Sequence, residues 1–222
     1  MTLFRKAPAM LGFDLSRPPG ADDGDTVVVL LHGRGAHRGD LQALRPHLPP
    51  DWVLVTPQAP HPGHPWGYGP GWAWYRYLAE DRLDEATLQG SLTAMDGLLA
   101  ELPAILHLVP GRLILGGFSQ GGTVSLAHAL TRPGKVNATL MFSGFLPATS
   151  QLTEMSASKL RAPVFWGHGK RDPNIPFALA ERGRSRLLAA GVDLVARDYD
   201  IGHWVDPGEV ADAVSFVEER AA

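Results

Sequence analysis

Cysteine is absent from the 222 residues, which excludes disulfides, thiolate metal sites and thiol nucleophiles. Charge is sparse as well, with 19% of residues charged and a formal net charge of -3. No block of Lys or Arg marks a polyanion-binding face, so nucleic acid is not an expected partner. Long apolar runs are missing too. The longest strongly apolar stretch, Val27 to Leu31, is too short to cross a bilayer. Arg5 and Lys6 are not followed by an apolar run of signal-peptide length. No stable membrane insertion is expected, and a chain without cysteine fits a cytoplasmic location. Internal repeats and coiled-coil heptads are also lacking.

What is present suits a globular core. Apolar residues make up 45% of the chain, too many for disorder. The length fits one domain over residues 1–222, burying roughly 70% of its extended-chain surface. The 25 glycines and 19 prolines predict many loops between regular elements.

Val27–Leu31 is a continuous β-branched and aliphatic run, the pattern of a strand covered on both faces. Arg38–Leu48 suits a helix that Pro49-Pro50 stops, and Trp52–Thr56 a second strand. Pro57–Gly71 is too crowded with Gly, Pro, His and Trp to be regular structure. Leu83–Leu106 predicts a long helix with an apolar stripe through Leu88, Leu92, Met95, Leu99 and Leu102, bent or broken at Pro103. Further strands are expected at Leu113–Phe118, Thr139–Phe142, Pro163–Trp166 and Val192–Tyr199. Helices are expected at Gln120–Leu130, Pro176–Ala190 and Val210–Glu219, and an edge strand around Leu11–Leu15. Alternating strands and helices predict an α/β layer fold with a mostly parallel sheet. Ligands in such sheets sit beyond the carboxyl ends of the strands, so His32, Ser119, Asp172 and His203 gain weight.

Gly117-Phe118-Ser119-Gln120-Gly121 stands between a predicted strand and a predicted helix. A serine on that sharp turn needs small neighbours, and G-x-S-x-G in this setting reads as a nucleophile elbow. A serine hydroxyl is a poor nucleophile at neutral pH. It needs a base, and the base an acid that holds its tautomer. His203, after the last strand and beside Gly202, is the candidate base, against the alternative of a capping or exposed histidine. Asp172, in the glycine-rich loop after Pro163–Trp166, is the candidate acid. Its alternatives are an Asx-turn or a pair with Lys170 or Arg171, and Asp198 and Asp200 are rivals for its place. The chain order Ser, Asp, His is that of the α/β hydrolases.

An oxyanion hole needs two backbone N–H groups. Gln120, at the start of the helix, supplies one, and Arg34, in His32-Gly33-Arg34-Gly35, is the candidate for the other. His32 reads as a loop brace. Gly33–Gly39 lacks the ending of a phosphate-binding loop. His61 and His64, with His32 and His37, have no convincingly spaced acidic partner, so no metal is expected. No cofactor is expected either.

Leu31-His32-Gly33-Arg34-Gly35, Gly117-Phe118-Ser119-Gln120-Gly121-Gly122, Gly167-His168-Gly169 with Asp172-Pro173, and Gly202-His203 together resemble the phospholipase/carboxylesterase family of small α/β hydrolases. That family includes acyl-protein thioesterases and bacterial carboxylesterases. The anchors cover roughly residues 25–219. The resemblance implies an α/β-hydrolase fold without a large cap domain, a triad of Ser119, Asp172 and His203, a first oxyanion amide at Arg34, and a possible homodimer. The family carries a hydrophobic residue where Arg34 stands, so this side chain bears on substrate preference.

The expected activity is hydrolysis of small to medium carboxylic esters through an acyl-enzyme. Lysophospholipase or acyl thioesterase is one alternative and a catalytically inert binding module of the same fold another, with a serine-triad perhydrolase or a peptidase as a closer enzymatic rival than that module. Trp66 and Trp72, from the aromatic cluster between residues 66 and 75, are expected to wall an apolar pocket, which Phe145 and Trp204 close from later loops.

Overall fold

The structure is a computed structural model that describes residues 11–79, 81–149 and 162–221. Arg5 and Lys6 lie outside the described residues. The main sheet has seven strands. In chain order they are β1 (Phe13–Ser16), β2 (Thr26–Leu31), β3 (Val53–Pro57), β6 (Arg112–Phe118), β7 (Ala138–Phe142), β8 (Val164–Gly169) and β9 (Leu194–Tyr199). The small pair β4 (His61–Pro62) and β5 (Trp72–Ala73) forms a separate ribbon. The main sheet runs in the order β1-β3-β2-β6-β7-β8-β9. Only β1 is antiparallel, pairing Phe13 with Pro57 at the edge; every other pairing is parallel. The carboxyl ends of the parallel strands therefore share one rim, and the loops leaving them can meet there.

The period of two along β2 sorts its side chains between the faces. Val27, Val29 and Leu31 enter one core, and Val28 and Leu30 the other. The first face is covered by α1 (Glu85–Leu106), α2 (Gln120–Thr131) and α3 (Phe177–Ala189), which contribute Leu92, Val124 and Leu187. The second is covered by α4 (Pro207–Arg220), through Val210, Phe216 and Val217, and by a short helix containing Leu41. Each such aliphatic side chain contributes about 1.5–3 kcal/mol relative to an exposed position. Ile114, Leu115, Leu140 and Phe165, from the central strands, are all at most 2% exposed, so the sheet that carries the site is a rigid base.

Local chemistry explains where the elements differ from expectation. The segment after His37 forms a 3-10 helix over Asp40–His47. Pro46 has no N–H to donate, and Pro49-Pro50 prevent extension into a longer α-helix. The proline-rich segment after β3 is not wholly irregular, because β4 pairs with β5 and a 3-10 turn spans His64–Trp66. α1 continues through Pro103 and ends within a turn of it, at Leu106, with His107 left-handed at φ 49°. At its other end Asp84 accepts the N–H groups of Ala86 and Thr87, a cap that fixes where the helix begins. β8 runs three residues beyond Trp166, its Gly167-His168-Gly169 pairing with Arg197, Asp198 and Tyr199 of β9.

Candidate active site

β6 ends at Phe118 and α2 begins at Gln120, leaving Ser119 alone to make the turn. It does so at φ 55° and ψ -114°, a conformation that costs about 1–3 kcal/mol in a residue with a side chain. Two hydrogen bonds hold it: Ser119 N–H donates to Phe142 O at 2.8 Å, and Thr123 N–H to Ser119 O at 3.0 Å. Small neighbours are required, as the sequence suggests. A Cβ on Gly121 would stand 1.9 Å from the carbonyl oxygen of Leu31, so the first turn of α2 lies directly on the end of β2.

The three residues expected to act together are in contact. His203 Nε2 is 3.0 Å from Ser119 Oγ, and His203 Nδ1 is 2.6 Å from Asp172 Oδ2. A carboxylate accepts, so Nδ1 carries the proton and Nε2 is left as an acceptor for the serine hydroxyl. The Asp172 side chain is fully buried. Its other oxygen, Oδ1, accepts the N–H groups of Asn174 at 2.8 Å and Ile175 at 2.9 Å. The Asx-turn and the histidine partnership are thus both present, one on each carboxylate oxygen. Burial alone would raise this carboxyl's pKa. The hydrogen bonds from His203 and from the amides of Ile175 and Asn174 outweigh it and hold the group below its ordinary value. Asp172 is therefore ionised at neutral pH and able to stabilise an imidazolium.

The rivals are engaged elsewhere. Asp198 pairs with Arg184 at 2.5 Å and Asp200 with Arg171 at 3.1 Å. His32 braces its loop. Its Nδ1–H donates to Gly33 O at 2.7 Å, and its Nε2 accepts Ala59 N–H at 3.1 Å. Burial lowers its pKa and keeps it neutral, and both ring nitrogens are used. Among the described residues no three His, Asp or Glu side chains converge as a metal site.

The N–H groups of Arg34 and Gln120 have no hydrogen-bond partner among the described residues. Gln120 is fully buried, and its side chain is a tie. Oε1 accepts Trp74 N–H at 3.0 Å, and Nε2 donates to Tyr75 O at 2.9 Å. Trp74 in turn donates its indole N–H to His32 O at 2.9 Å. The start of α2, the loop after β2 and the loop after β5 are joined by these bonds.

Ser119 and His203 open on a cleft of about 460 Å³, also lined by Arg34, Asp40, Tyr77 and Ile175. None of the four aromatic residues expected in its wall lines it. Phe145 is fully buried and stacks behind Tyr77 at 6.1 Å. Trp66 packs on His61 at 4.9 Å and on Tyr68 at 5.9 Å. Trp72 packs against the core from the ribbon, and Trp204 turns outward, 55% exposed, with its ring over Gly202. The ribbon holds Trp72, and the 3-10 turn within its loop holds Trp66, away from the cleft, while Tyr77, beyond the ribbon, lines it. Tyr77 and Ile175 were missed by sequence reasoning. Ile175 had a signal, since it directly follows the acid's loop; Tyr77 had only its place two residues beyond the aromatic cluster.

Behind the acid's strand lies Glu209, fully buried against Gly167 of β8. Its Oε2 accepts Asp206 N–H at 3.4 Å in a capping box, while Oε1 has no partner among the described residues. Burial lifts its carboxyl from 4.5 to about 8. The folded chain therefore holds this proton more tightly than the unfolded chain. The stability it contributes is complete below about pH 4.5 and is lost as pH rises to about 8, on the order of 5 kcal/mol in all. Glu209→Gln should flatten that slope. Urea unfolding at about pH 5 and about pH 9 should show wild type losing stability between the two while the variant loses less. Equal losses would show that Glu209 does not titrate in this window.

Comparison with known proteins gives the chain's family and fold. The family described as Phospholipase/Carboxylesterase matches residues 19–220. An acyl-protein thioesterase 1 of Cryptococcus neoformans var. neoformans serotype D is 32% identical over 180 residues, covering 73% of this chain and 72% of the relative. Among solved structures, esterase PE8 is 28% identical with a TM-score of 0.78, covering 96% of this chain and 100% of that one. The Bacillus cereus carboxylesterase, at 20% identity, shares the fold with a TM-score of 0.79, over 96% of this chain and 95% of its own.

Proposed function

This chain belongs to the phospholipase/carboxylesterase family and is an ester-bond hydrolase, and from that premise we propose that it is a serine carboxylesterase acting on small to medium esters through an acyl-enzyme. The observation that carries this reading is the unbroken series of hydrogen bonds from Ser119 Oγ through His203 to the buried Asp172 carboxylate. His203 Nε2 takes the hydroxyl proton as Oγ attacks the ester carbonyl. The negative charge that forms on the carbonyl oxygen is met by the free N–H groups of Gln120 and Arg34, the first also at a helix N-terminus. His203 then returns the proton to the departing alcohol, leaving the acyl group on Ser119. Water enters, loses its proton to the same imidazole, and releases the acid.

The modest cleft favours short acyl groups. A thioester passes through the same tetrahedral intermediate, and the relative named an acyl-protein thioesterase keeps that reading in play. The deciding measurement is kcat/KM for a graded series of esters, from acetate through butanoate to dodecanoate, beside a thioester of matched chain. We expect a fall of about tenfold or more between butanoate and dodecanoate, because methylenes that overrun a short pocket add no binding and must be forced against its wall. A value that rises with chain length would turn the assignment toward lipid or acyl-protein substrates. Failure to hydrolyse any member, together with no labelling by a fluorophosphonate, would favour an inert binding module.

A further inference from the structure

The active cleft contains an unengaged cation. Arg34 lines it together with Ser119 and His203, and its guanidinium lies between two aromatic rings. Its Cζ is 5.0 Å from the centroid of Tyr68 and 5.3 Å from that of Tyr77. Those rings are themselves fixed. The Tyr68 hydroxyl accepts Tyr77 N–H at 2.7 Å, and the hydroxyls of Tyr77 and Tyr75 are 3.2 Å apart. The side chain is thus held in one place by ring faces, which attract the cation without using its N–H groups.

Arg184 shows what an arginine with a structural task looks like in the same molecule. It too packs on two rings, Trp166 and Phe177. Its two terminal nitrogens, however, are engaged, with Asp198 at 2.5 Å, Trp166 O at 2.9 Å and Arg197 O at 3.1 Å, and only Nε is left without a partner among the described residues. Arg34 has the aromatic clamp but no carboxylate or carbonyl acceptor for its side chain among the described residues. Asp40 lines the same cleft, yet no ion pair joins the two. A planar fork of donors, positioned beside a nucleophile and left open, matches a carboxylate or phosphate oxygen pair.

We infer that Arg34 selects esters carrying a second, anionic group, a carboxylate or a phosphate, several bonds from the scissile carbonyl. This rests on the serine-esterase reading given above. The residue then acts twice, its backbone N–H facing the reacting oxygen and its side chain facing the remote anion. Asp40 opposes the anion from elsewhere in the lining and moderates the preference.

The test is a ratio. kcat/KM is measured for matched anionic and neutral esters, with the charge on the acyl side (phenyl monoester of hexanedioic acid against phenyl hexanoate) or on the alcohol side (butanoate of para-hydroxybenzoate against that of para-hydroxybenzamide). Wild type should prefer the anionic member of at least one pair by about tenfold. Arg34→Leu should bring that ratio to about one or below, and Asp40→Asn should raise it. Any general loss from disturbing the Arg34 amide affects both members and cancels. Raising salt from about 0.05 M to about 0.5 M should shrink the wild-type preference, which tests the idea even if Arg34→Leu does not fold. Wild-type ratios at or below one in both pairs, or an unchanged ratio in Arg34→Leu, would overturn the inference and leave the esterase reading intact. No hydrolysis of any of the four esters, with no fluorophosphonate labelling, would instead sink the esterase reading.

Discussion

Ser119→Ala should lower kcat on a short-chain ester by about 10,000-fold or more and abolish fluorophosphonate labelling, with circular dichroism unchanged. The expectation follows from geometry. Ser119 Oγ is the hydroxyl 3.0 Å from His203 Nε2, and alanine leaves that imidazole with only water to deprotonate. Catalysis does not fall to zero in such variants, because amides that stabilise an oxyanion still work on a water attack; the residue is typically about 1,000- to 10,000-fold over the uncatalysed rate. The loss should appear in kcat and kcat/KM alike, since the hydroxyl does its work in the transition state. The fold is expected to survive, because the bonds that hold residue 119 in its left-handed conformation come from its own N–H and C=O. Hydrolysis within tenfold of wild type would remove Ser119 from the mechanism.

Gly121→Ala should be as damaging to folding as Ser119→Ala is to chemistry. The added methyl would stand 1.9 Å from Leu31 O, 2.5 Å from Leu31 C and 2.7 Å from His32 O. All three are backbone atoms, so no side chain can rotate away. Either α2 lifts off the end of β2 or the turn at Ser119 opens. Ordinary overpacking costs about 1–3 kcal/mol; a clash confined to main chain belongs in the class above about 4 kcal/mol, a large share of the roughly 5–15 kcal/mol of a whole domain. Insoluble protein, or a urea midpoint far below wild type, is the expected result. Gly97→Ala in α1 is the control. Nothing lies within 4 Å of its new methyl, and alanine in a helix should be neutral or stabilising by about 0.5–1 kcal/mol. Equal midpoints for Gly121→Ala and wild type would mean the turn is far more pliable than the contacts indicate.

The parts of this architecture that were legible in the chain are those fixed by local necessity. Val27–Leu31, short, continuous and β-branched, has the pattern of a strand covered on both sides, and it is one. Gly117-Phe118-Ser119-Gln120-Gly121 carries the steric demands of its turn in its own composition. Asp172 and His203 were legible because strand ends are where an α/β sheet presents polar residues. What stayed hidden depends on contacts between distant segments. That Trp66 and Trp72 would stay out of the cleft wall depended on the pairing of His61–Pro62 with Trp72–Ala73, two residues long and without a sequence signature. Glu209 falls just before the helix expected at Val210–Glu219, which in fact begins at Pro207; only the approach of β8 makes it a buried carboxyl. The two readings of Asp172 seemed to compete in sequence and coexist in space, because a carboxylate has two oxygens.

The ties running from Gln120 to Trp74, from Trp74 to His32 and from His32 to Ala59 have a bearing on how substrate is received. They link the two proposed amide donors through buried, uncharged groups, so the spacing between those donors is settled when the chain folds and not when a ligand arrives. Solvent dipoles would have to reorient around a nascent alkoxide at every turnover, whereas donors whose places are fixed by folding would not.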